Sequence, residues 1–126
     1  MKTLFYSLVL FAMTLSGADV TGKWSGTYDV TISDGNSDGN TMKGRVYMVL
    51  TQSGPDLTGT IGPDEQQQSQ IAKGKVEDDR ITFENQTEGP LMRFELRLDN
   101  DRIRGEGKGE MEGTKIRAKI ELARVE

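Results

Sequence analysis

Residues 103–125 read I-R-G-E-G-K-G-E-M-E-G-T-K-I-R-A-K-I-E-L-A-R-V. Ile103, Gly105, Gly107, Gly109 and Met111 alternate with Arg104, Glu106, Lys108 and Glu110. Beyond Glu112 and Gly113, Ile116, Ala118, Ile120 and Leu122 alternate with Lys115, Arg117, Lys119 and Glu121. A period of two marks half-buried strands. Folding the chain at Glu112-Gly113 sets Glu110 opposite Lys115, Glu106 opposite Lys119 and Arg104 opposite Glu121. The same fold sets Gly109, Gly107 and Gly105 against Ile116, Ala118 and Ile120. Both faces specify one register, because a slip by one residue would bury the charges. Glu112 is the weak point, since a tight two-residue turn favours Asn or Asp before Gly.

The alternation continues towards the N-terminus. Residues 23–32 place Trp24, Gly26, Tyr28, Val30 and Ile32 on one face. Residues 43–52 turn Val46, Met48 and Leu50 inward, with Tyr47 and Val49 on the opposite face. That strand is apolar on both sides, so either a protein partner covers Tyr47 and Val49 or they are exposed. Further strands are expected at 57–61, 71–76, 81–85 and 91–98, with residues 62–70 as a polar, glutamine-rich loop. The turn after Asp99 sets Arg97 against Arg104 and Glu95 against Glu106, which is unfavourable unless neighbouring charges of opposite sign compensate.

No segment has a helical period, and every connection is short. The expected fold is all-β: an antiparallel up-and-down meander of about eight strands. An open sheet would leave two edges, and closure into a small barrel removes them. Such a barrel is filled by its own side chains or holds one small ligand.

Residues 1–18 carry Lys2, an apolar run from Leu4 to Leu15, and small residues at Ser16 and Ala18. This is the pattern of a secretory signal peptide cut before Asp19. The run is too short to span a membrane comfortably. The expected organisation is a signal peptide at 1–18 and one β-barrel domain at 19–126, with a secreted or periplasmic location. Removing Lys2 leaves 15 basic and 20 acidic residues, a net charge of −5. That acidity disfavours nucleic acid and anionic membranes as partners. There is no cysteine, so the fold has no disulfide and its core alone must hold it.

Histidine is also absent. The usual triads, thiol nucleophiles and most zinc sites are therefore missing. The carboxylates fall on outward strand faces and in turns, and no glycine pattern opens a helix. The expectation is a protein with no catalytic role and no cofactor. Asp34, Asn36 and Asp38, followed by Gly39, form the first half of a calcium loop. The twelfth position, where a bidentate glutamate belongs, is Arg45. Hairpin loops use the same Asp, Asn and Gly.

Gly22-Lys23-Trp24 opens the first strand, and Arg124 lies near the end of the last. The pair resembles the calycin group of lipocalins and avidins, whose first strand begins G-x-W. In lipocalins that tryptophan packs under the barrel against an arginine of the last strand, so the resemblance implies that Trp24 and Arg124 close the barrel. The mature chain also resembles small secreted bacterial domains of unassigned function, with a G-K-W start, L-T-G-T turns, a G-K-V-x-D-D-x-I-T-F block and an A-R-V ending. The lipocalin T-D-Y motif and C-terminal helix are missing. Avidins line their site with several tryptophans, and this chain has one, which argues against biotin.

Two functions follow as expectations. One is a binding barrel for a small, mostly apolar ligand, lined by Tyr28, Met48, Phe83 and Phe94. The other is a structural or accessory envelope domain with a filled barrel, acting through its surface on a protein or polysaccharide.

Overall fold

The computed structural model describes residues 19–33, 40–86 and 89–125. The strands are β1 (Gly22–Ser33), β2 (Asn40–Ser53), β3 (Asp56–Gly62), β4 (Ser69–Gln70), β5 (Ala72–Glu77), β6 (Arg80–Asn85), β7 (Met92–Asp99), β8 (Arg102–Met111) and β9 (Thr114–Arg124). They form one sheet in the order β2-β1-β9-β8-β7-β6-β5-β3, with β4 beside β3, and β2 pairs with β3 to close the ring. The fold is an antiparallel meander of eight strands closed into a barrel, with β4 a two-residue addition. No helix occurs among the described residues.

The last hairpin sets the pattern. Glu110 pairs with Lys115, Gly107 with Ala118 and Arg104 with Glu121. Glu112 and Gly113 both take positive φ, at 51° and 85°, as a type I′ turn requires. Asn100 and Asp78 supply the same left-handed backbone to the turns before β8 and β6. Glu112 does so without the short polar side chain that favours this conformation. The register of a closed hairpin outweighs that local preference.

Gly107 lies beneath the Phe94 ring, which a Cβ at this position would penetrate. Phe94 in turn stacks on Phe83, with ring centroids 4.8 Å apart and planes 21° apart. The glycine thus makes room for an aromatic pair that is worth about 0.5–1.5 kcal/mol beyond its burial. Around it Trp24, Met48, Leu50, Ile81, Leu96 and Ile103 are fully buried. These residues form one core cluster, and no polar side chain is buried among the described residues.

The β7–β8 ladder sets Arg97 opposite Arg104 and Glu95 opposite Glu106. Compensation comes from flanking strands and turns rather than from within the pair. Arg97 binds Asp79 at 3.1 Å, Arg80 binds Glu95 at 3.0 Å and Arg117 binds Glu106 at 3.6 Å. Each exposed pair is worth about 0–1 kcal/mol, enough to offset a like-charge neighbour.

The segment 62–70, expected to be a loop, contains β4. Asp64 Oδ1 accepts hydrogen bonds from the Gln66 and Gln67 backbone N–H groups, both at 2.9 Å. That turn returns the chain so that Ser69 and Gln70 pair with Ile61 and Thr60. β3 and β5 share only two register pairs, Asp56–Lys75 and Leu57–Gly74. The β5–β6 register shifts between Ala72 and Lys75, where Lys73 takes a φ of 53°, as a bulged strand allows.

Candidate functional site at the two ends of the barrel

Trp24 and Arg124 are register partners on adjacent strands. The guanidinium carbon lies 4.4 Å from the centroid of the indole. Trp24 is fully buried, and its Nε1–H donates to the Val20 carbonyl at 2.9 Å. Arg124 donates through Nη1 to the Thr21 carbonyl at 2.8 Å and through Nη2 to that of Asp19 at 3.2 Å. Its Nε–H reaches Asp101 Oδ1 at 3.3 Å. Residues 19–21 therefore cross beneath the barrel as a strap. Gln52 Oε1 accepts from the Val20 N–H, while Thr21 Oγ1 accepts from the Gln52 N–H, both at 3.0 Å. The planar fork of arginine meets carbonyls, carboxylate and ring at once, which an ammonium group cannot do. This end of the barrel is closed over by the strap, with Trp24 and Val20 fully buried.

The opposite end differs. Along β1 the inward positions run from fully buried Trp24 to half-buried Tyr28, Val30 and Ile32. Val30 faces Met42 across β2, and Ile32 faces Ile116 across β9. Ile116 faces Gly109, which faces Met92. Met42 is 54% exposed and Met111, two residues beyond Gly109 on the same face of β8, is 43% exposed. These cross-strand neighbours form one apolar rim over five adjacent strands. Three of the four methionines that follow residue 18 lie on it: Met42, Met92 and Met111. Methionine is unbranched and polarizable, and adapts to irregular apolar partners.

The four residues expected to line a ligand lie at different depths. Phe83 and Phe94 are brought together and buried. Met48 pairs with Trp24 in the packed half and is fully buried. Tyr28 is half-buried, its ring over Gly44. Tyr47 and Val49 are half-buried on the outer face of β2, and Gln68 Nε2 donates to the Tyr47 carbonyl at 3.1 Å. Asp34, Asn36 and Asp38 lie outside the described residues, as does the segment 1–18. The rim residues Met42, Met92 and Met111 were not among those expected to line a ligand, although all three stand towards strand ends in inward phase.

A shallow hollow lies over the outer face of β6 to β9 and is lined by alternating cations and anions such as Arg93, Glu95, Arg104 and Glu106. No group of three carboxylates or other metal-ligating side chains occurs among the described residues. No helix among them is long and apolar enough to cross a membrane. Comparison with known proteins gave no match, whether to a family model, a curated protein or a solved structure.

Proposed function

We propose that the protein is a secreted, non-catalytic binding barrel that takes a small, mostly apolar ligand at its open end. The observation that carries this reading is the gradient of burial: inward residues are sealed at the Trp24 end and half-buried to exposed at the methionine rim. A partly exposed apolar rim beside a packed floor is the setting in which an apolar molecule gains most by leaving water. The Trp24–Arg124 contact and the closed meander support a calycin-like ancestry, shared with the small secreted domains that the sequence resembles. The absence of histidine and cysteine supports a role without catalysis.

Titration with a fluorescent long-chain fatty acid tests the proposal. Saturable binding is expected, weakened at least tenfold by Met111→Lys, which charges the rim without disturbing the core. Equal binding by parent and variant would overturn the site. A second reading, a filled structural barrel acting through its surface, is favoured by the Phe83–Phe94 stack, which occupies the interior below the rim. That reading expects no saturable binding at all.

A further inference from the structure

We propose that the outer edge of β2 at Thr41, Lys43 and Arg45 is a strand-addition site for an extended peptide that alternates acidic and apolar side chains.

The edge follows from unequal strand lengths. β1 pairs with β2 from Leu50 up to Asn40. β3 pairs with β2 only from Ser53 to Tyr47. Beyond Tyr47 the far edge of β2 has no strand partner among the described residues. In an antiparallel ladder the N–H and C=O of successive residues point to opposite edges. Three hydrogen bonds fix the phase here. The Gln52 N–H donates to Thr21 on the β1 side. The Thr51 carbonyl accepts from Thr58, and the Tyr47 carbonyl from Gln68, on the β3 side. Odd-numbered residues therefore present their backbone to the far edge. At Tyr47 the Gln68 amide stands where the next strand would continue. Arg45, Lys43 and Thr41 follow with their backbone groups directed outward.

The side chains define the partner. Lys43 and Arg45 are exposed on the outer face, and neither has a carboxylate within 4.0 Å among the described residues. On the inner face Met42 is largely exposed, and the Tyr28 ring lies over Gly44. An added strand would set every second side chain against two cations and the alternate ones over Met42 and Tyr28. Acidic and apolar residues in alternation satisfy both faces. A second copy of this edge does not, because an antiparallel copy centred on the same residue would place Lys43 against Lys43. The site borders the small-ligand rim at Met42 and Tyr28, but it is defined by the outward backbone groups of Thr41, Lys43 and Arg45, which an apolar molecule does not use.

The synthetic peptide acetyl-EVEVEVE-amide is the probe. Calorimetric titration should show saturable binding, with amide hydrogen exchange slowed at Thr41, Lys43 and Arg45. Lys43→Pro removes the central outward N–H without touching the bonds to β1, and Pro is tolerated on an edge. It should weaken the peptide at least tenfold and leave fatty-acid binding unchanged. Should that variant not fold, the double variant Lys43→Glu with Arg45→Glu serves. It should lose acetyl-EVEVEVE-amide and gain acetyl-KVKVKVK-amide. No binding, binding without protection at the three residues, or equal binding by the variants overturns the proposal. So does protection at these residues through dimerisation without peptide, which would assign the edge to a second copy.

Discussion

Arg124 stacks on Trp24 at 4.4 Å and in the same position holds the carbonyls of Asp19 and Thr21. One side chain thereby ties the last strand to the first and both to the strap beneath them. A cation over an indole contributes about 0.5–2 kcal/mol, more as it is desolvated. A double-mutant cycle with Trp24→Phe and Arg124→Lys should show coupling of about that size in urea unfolding. Additive effects would mean that the strap contacts, not the ring, account for Arg124.

Gly107 has no space for a side chain. Phe94 covers it and is itself held by Phe83. Gly107→Ala should cost about 1–3 kcal/mol, the usual range for overpacking, and Gly107→Leu more. Unchanged urea midpoints would place Phe94 elsewhere.

Asp19 gives the strap a pH dependence. Its carboxyl is held below the ordinary carboxylate value, first by the backbone N–H of Thr21, then by the Thr21 hydroxyl, with a smaller pull from Arg124. A lowered native pKa means that the contribution is complete above the unfolded value of about 3.9. It fades as pH falls through the native value. Asp19→Asn should therefore lower stability at neutral pH, and the gap should close at strongly acid pH. A gap that persists there would show that the charge is not what matters.

Alternation shows which face a residue takes, not its height in the barrel. Glu110 and Lys115 were legible because the charges, the apolar face and the turn all agree on one register. Tyr28 and Met48 share the inward phase in the sequence, yet one is half-buried and the other sealed. That difference depends on the closed end and on how far each strand outlasts its neighbour. The relief of Arg97 against Arg104 was not legible for a related reason: Asp79 is far from both in the chain. β4 has two residues, too few for any period. Glu112 argued against a tight turn by local preference, and strand pairing overrode it.

The apolar rim at Met42, Met92 and Met111 is tested most directly by what the protein carries. Protein purified from its native host without detergent, extracted with organic solvent and examined by mass spectrometry, should yield close to one equivalent of an apolar molecule per chain. The variant Met92→Lys with Met111→Lys, prepared identically, should yield little or none. Equal amounts from both proteins, or none from either, would contradict a ligand site at the open end.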